Sequence, residues 1–189
     1  MESVTMMKNK KARRGFTLPE VLVTLAIVAT LSAVLLPALN NQLSKGDAGR
    51  LTSDLVAVQT AVGAFTSDVR RYPLDLTDLI AKPGSADLDV LGNAFGAVLI
   101  NKWRGPYLSK ELSGTNLPTG YGVNISGTFT RTSYNAIEYL TITIPSLTAA
   151  EFNNIDQIID ETANSSTGQL RFTVSGTSTT TTFYAAPIQ

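Results

Sequence analysis

One carboxylate, Glu20, stands where a basic N-terminal segment meets an apolar run. Its type and placement suggest chemistry more strongly than any other residue. The segment reads Arg13-Arg14-Gly15-Phe16-Thr17-Leu18-Pro19-Glu20 and continues as Val21 to Leu39. The apolar run is about 19 residues, roughly 28 Å as a helix, which is close to one bilayer core. An acidic residue at mid-membrane costs about 2.5–3.5 kcal/mol, so Glu20 requires a compensating interaction. Composition excludes most other chemistry. The 189 residues contain no cysteine and no histidine, which removes thiol catalysis, disulfides, zinc sites of the usual ligands and histidine-based triads. With no nucleophile–base pair, phosphate loop or metal-ligand cluster in the sequence, the chain reads as a non-enzyme.

A hydrophobic content of 43% suits one membrane segment and one modest globular domain. The net charge is zero, but it is unevenly distributed. The first 15 residues carry Lys8, Lys10, Lys11, Arg13 and Arg14 against Glu2, leaving +4 there and −4 in the remainder. The positive end is expected to stay cytoplasmic while the rest crosses the membrane. Three readings of this N-terminus compete. A secretory signal peptide fits the basic segment, but Pro37-Ala38-Leu39-Asn40 is a poor small-x-small cleavage site and Glu20 interrupts the basic-to-apolar transition. A plain signal anchor explains the length and flanks but not Glu20. The third reading is cleavage before the apolar run.

Gly15-Phe16-Thr17-Leu18-Pro19-Glu20 resembles the prepilin cleavage motif of type IV pilins and type II secretion pseudopilins. The resemblance implies that residues 1–15 are a leader and that Gly15 is its last residue. It also implies that a membrane aspartyl peptidase cuts between Gly15 and Phe16 and that Phe16 is then N-methylated. Residues 16–39 become a transmembrane and filament-core helix, and residues 40–70 its amphipathic continuation. Pro19 breaks a helix that continues back through Gly15, but in a chain beginning at Phe16 it falls in the first turn, where its missing N–H has no helical partner. Glu20 then has a partner, because in a bundle of staggered parallel helices it can meet a neighbour's Phe16 amine. An unpaired carboxylate in a low-dielectric core is strongly penalised, so the pair can set register. The alternative is that Glu20 snorkels to the headgroups. Pro37 frees the carbonyl of Ala33 and is expected to kink or loosen the helix.

Beyond it, Leu51, Leu55, Val58, Val62, Phe65 and Val69 are spaced 4-3-4-3-4, an amphipathic helical stripe suited to packing on a sheet. A coiled-coil partner is the other use of such a stripe. Pro73 predicts that the helix ends at Arg71-Tyr72. Asp75 or Thr77 is expected to start a short helix through Ile80, with another small helix between Leu91 and Ile100. Tyr139 to Ile144 alternates as a strand. Ser146 to Glu161 suits a helix with a Ser or Thr cap, and 169–175 and 180–186 read as strands around Gly176-Thr177-Ser178. The fold class is thus α+β, a long N-terminal helix packed on an antiparallel sheet of about four strands, with residues 71–189 as the globular head.

Arg70-Arg71-Tyr72-Pro73 with Leu76-Thr77-Asp78-Leu79, and Trp103-Arg104-Gly105-Pro106-Tyr107-Leu108, are similar to segments of the major pseudopilin of type II secretion. Trp103 and Tyr107 are expected to cover the helix–sheet core with their polar tips outward; a ligand-binding aromatic pair is the sharper alternative. The usual Asp-Pro-Trp-Gly-Asn-Pro-Tyr segment is absent, replaced by Leu117-Pro118-Thr119-Gly120-Tyr121-Gly122-Val123. No cofactor is expected. The resemblance admits calcium, but its ligands are not identifiable, and Asp156, Asp160 and Glu161 read as a solvated helix face. The resemblance implies a subunit of a type II secretion pseudopilus, held single-pass in the bacterial inner membrane with its head in the periplasm or outside. Its implied partners are the prepilin peptidase, an assembly platform and ATPase, and other pilin-like subunits in homo- and hetero-oligomers. The alternative is a minor type IV pilin acting in adhesion, motility or DNA uptake, and an unprocessed membrane-anchored binding protein is a third class. Nucleic acid is not an expected partner, since only Arg70, Arg71, Lys102 and Arg104 offer local positive charge.

Overall fold

The six stripe residues are all fully buried, and they define the face of the first helix on which the head is built. The structure, a computed structural model, describes residues 15–175 and 178–188. Residues 1–14, Gly176, Thr177 and Gln189 lie outside the described residues, and with them most of the expected leader. The chain divides after Gln42 into two units. Helix α1, Leu18–Val69, contributes to both. In the first unit its apolar side chains, Leu22, Val23, Leu25, Ile27, Val28 and Leu31 among them, are exposed, and the helix is long and apolar enough to cross a membrane. The helical assignment passes through Pro37.

In the second unit α1 ends as Pro73 requires. Arg70 takes a left-handed conformation with φ of 60°, and its N–H donates to the Thr66 carbonyl at 2.9 Å, closing the last turn. Short helices α2, Thr77–Ile80, and α3, Ala97–Ile100, follow. Neither Asp75 nor Thr77 caps α2. The Asp78 carboxylate does the anchoring, accepting from Leu74 N and Asp75 N at 3.0 and 3.1 Å.

A two-stranded ribbon, β1 (Leu117–Pro118) with β2 (Asn124–Ile125), precedes the main sheet. The main sheet consists of β3 (Phe129–Tyr134), β4 (Ile137–Pro145), β5 (Leu170–Ser175) and β6 (Ser178–Ile188) in the order β3-β4-β6-β5, every pair antiparallel. The four-strand expectation is met. Strand β3 is the one whose position the sequence pattern leaves open. It joins β4 through Asn135-Ala136, at φ of 51° and 63°, a primed hairpin turn lacking the glycine that usually advertises it. Segment 74–76 covers the free edge of β3 through Phe129 N to Leu74 O and Leu76 N to Gly127 O, both 2.7 Å.

Helix α4, Ala149–Ile159, connects β4 to β5 past the intervening β6. Thr148 caps it, with a reciprocal capping box in which Glu151 N donates to Thr148 Oγ1 and Thr148 N donates to the Glu151 carboxylate. Its buried residues Phe152 and Ile155 face the core, and Phe152 stacks on Phe172 of β5 at 5.1 Å.

Candidate processing and assembly site

The residues of the N-terminal motif stand at the start of α1. Gly15, Phe16 and Thr17 are not helical, and the helix begins at Leu18. Phe16 is 83% exposed. Val21 N donates to Thr17 O at 3.2 Å, so Thr17 is the N-cap and Leu18, Pro19 and Glu20 are the first three helical positions. Pro19 therefore sits where no helical N–H bond is lost. Glu20 turns its Oε2 back to Thr17 N at 3.4 Å. That is half of a capping box, and Thr17-x-x-Glu20 is the sequence signature that could have revealed it. The carboxylate also lies at the positive end of the helix dipole. In the single chain Glu20 thus has a local partner, in addition to the neighbour's amine expected in a fibre. Pro37 is 17 positions further along α1 and is not brought near these residues by any described contact.

The second motif is a clasp on the end of α1. The Trp103 ring lies over Gly105, where an added Cβ would collide with the indole, so glycine is required at that position. Trp103 Nε1 donates to the Asp78 carbonyl at 3.1 Å. Tyr107 Oη donates to Asp68 at 2.9 Å and accepts from Arg104 N at 2.8 Å; burial raises its pKa. Trp103, Tyr107, Phe65 and Phe95 form an edge-to-face chain with centroid separations of 5.6 to 5.8 Å. The polar tips are therefore not directed outward to solvent but bonded to helix and loop, and the pair acts as structure.

Arg71 pairs with buried Asp89 at 2.7 Å, and Asp89 also accepts from Leu91 N and Asn93 N. That commits one of the four basic candidates for nucleic acid to an ion pair with a buried carboxylate. The expected solvated face of Asp156, Asp160 and Glu161 fails at Asp156, while Asp160 is half-buried and Glu161 exposed. Asp156 is fully buried and accepts from Asn164 N at 2.7 Å; Asp160 accepts from Gln169 N and Leu170 N. Burial, with Asp160 adjacent, pushes the Asp156 carboxyl up to about 6. Among the described residues no three acidic side chains are grouped as metal ligands.

A long helix with an unburied apolar start, followed by a four-stranded antiparallel sheet, is the α+β arrangement of a pilin-like protein. Residues 10–36 match the family described as the prokaryotic N-terminal methylation motif. The chain is similar to the type II secretion system core protein G of Klebsiella michiganensis, 35% identical over 78 residues, covering 40% of this chain and 55% of that protein. It is equally similar to the core protein G of Aeromonas hydrophila, 35% over 81 residues, 41% of this chain and 57% of that protein. The type IV major alpha-pilin of Moraxella bovis is 42% identical over 53 residues, 28% of this chain and 33% of that protein. The matches span a little over half the length of the two secretion proteins. No solved structure matches the chain.

Proposed function

We propose that this chain is a pseudopilin, a structural subunit of a type II secretion pseudopilus, and not an enzyme. The observation that carries the reading is the conjunction at the start of α1. An accessible Gly15–Phe16 bond, Pro19 in the first turn and Glu20 at the third helical position precede an apolar helical stretch with none of its surface buried. The similarity to two core protein G chains supports the secretion class.

In this reading residues 1–15 are removed by the prepilin peptidase, and Phe16 acquires a methylated, cationic amine. The chain is stored in the inner membrane through residues 16–39, with the head on the far side. Assembly packs the apolar helices at the centre of a fibre, where Glu20 exchanges its bond to Thr17 N for the stronger charge-assisted pairing with a neighbour's Phe16 amine. Pro37 loosens the helix there and allows axial stretch. The work of pushing an exoprotein outward comes from fibre growth driven by the assembly ATPase.

Mass spectrometry of protein from its native membrane tests processing. The expected N-terminus is Phe16 carrying one added methyl group, and a chain retaining Met1 overturns the proposal. Deleting the gene is expected to stop export of a secreted protein. Loss of surface motility with export intact would instead identify a type IV pilin.

A further inference from the structure

A cavity of about 320 Å³, lined by residues of all four sheet strands, of the loop from α4 to β5 and by Gln59 of α1, is not used by the filament reading. Its floor is a β-bulge. Thr141 pairs with Tyr184 and Leu140 with Ala186, leaving Ala185 unpaired in β6. Its carbonyl accepts instead from Gln59 Nε2 of α1 at 3.0 Å. Bulges re-aim neighbouring side chains, and here Tyr139 and Tyr184 meet edge to face at 5.4 Å.

Arg171 on β5 and Tyr134 on β3 belong to opposite edges of the sheet, about 14 Å apart by strand spacing. Their side chains nevertheless meet over it. The Arg171 Cζ lies 3.5 Å from the Tyr134 ring centre and 4.1 Å from that of Tyr184. Its Nε donates to Gly168 O at 3.2 Å and its Nη1 to Tyr184 Oη at 3.3 Å. Gly168, at φ of 91°, has no room for a Cβ because the Asp160 carboxylate occupies that space. The guanidinium is thus held in one orientation by four contacts, and among the described residues its Nη2 donors have no hydrogen-bond partner.

Among the described residues Arg171 forms no ion pair; the paired cations are Arg50, Arg71, Lys110 and Arg131. The acid lining the cavity, Asp160, spends its oxygens on Gln169 N and Leu170 N. A guanidinium held in one orientation without an ion-pair partner is a receptor for a carboxylate. Three tyrosines, Tyr134, Tyr139 and Tyr184, line the cavity together with the amides Gln59 and Gln169 and with Ala185, Ala186 and Pro187; ring and amide together accept the apolar face of a pyranose while bonding its hydroxyls. The volume lies near the lower limit for ligand sites and suits one sugar ring. We propose that this cavity binds a carboxylated sugar, with the uronate carboxyl on Arg171 and the ring against Tyr139 and Tyr184.

The test is a titration of the full chain in detergent micelles, followed by NMR, with galacturonic acid, galactose and N-acetylglutamate at matched ionic strength. The expected result is saturable galacturonate binding at least about tenfold tighter than that of either comparator. Arg171→Gln, checked by circular dichroism for an unchanged fold, should weaken it by a similar factor. Equal binding of galacturonate and galactose overturns the role of Arg171. Equal binding of N-acetylglutamate overturns the sugar assignment, and absence of saturable galacturonate binding overturns the site. These ligand comparisons use the unaltered chain, so they stand even if the variant fails to fold.

Discussion

Replacing Asp156 with asparagine should stabilise the head at neutral pH and leave it unchanged in acid. Asp156 is fully buried beneath the loop joining α4 to β5, with Asp160 as its charged neighbour. Its carboxyl titrates near 6 in place of the ordinary 3.8. The folded state therefore binds the proton more tightly than the unfolded chain, and folding stability falls as pH rises from about 4 through about 6. At about 1.4 kcal/mol per pH unit, the accumulated loss above that window is up to about 3 kcal/mol. Asparagine retains an acceptor for Asn164 N and offers Asp160 a permanent N–H in place of a titrating proton. Thermal unfolding of the full chain, followed by near-ultraviolet circular dichroism at about pH 7.5 and about pH 4, reads the difference. For a domain of this size 1 kcal/mol moves Tm by about 2–4 °C, so the variant should gain up to about 6–12 °C at the higher pH and almost nothing at the lower. A variant less stable than the parent at neutral pH, or a difference independent of pH, would refute the reasoning.

Other substitutions test the remaining elements. Glu20→Ala is expected to leave the head's circular dichroism unchanged while abolishing fibres in electron micrographs; normal fibres would remove Glu20 from assembly. Thr148→Ala removes the capping box of α4 and should cost about 1 kcal/mol in denaturant unfolding. Tyr107→Phe deletes the hydroxyl shared by Asp68 and Arg104 N and should cost about 1–3 kcal/mol by the same measurement. Calcium or a chelator should shift Tm by less than about 1 °C, whereas an ion bound to the folded state at a hundredfold excess over Kd would add about 2.7 kcal/mol and move it by several degrees.

Signals that act within a few residues are legible in the amino-acid order. The 4-3-4-3-4 stripe, the stop at Pro73, and the Ser or Thr cap that resolves to Thr148 all depend on helical period and backbone sterics. The sheet is harder to read. Strand β3 alternates weakly, and its turn uses Ala136 at positive φ, so only pairing with β4 and cover from residues 74–76 define it. Trp103 and Tyr107 are recognisable as a motif, but the acceptors of their polar atoms, Asp78 O and Asp68, come from distant parts of the chain.

The amino-acid order alone determined the N-terminal motif, since glycine, proline, glutamate and an apolar run act through adjacent backbone and through length. Tertiary structure alone decided the fate of the charged side chains away from it. Asp156 became buried and Arg171 was drawn across the sheet to Tyr134 because burial and dielectric depend on which strands lie side by side, and a linear pattern does not encode that adjacency.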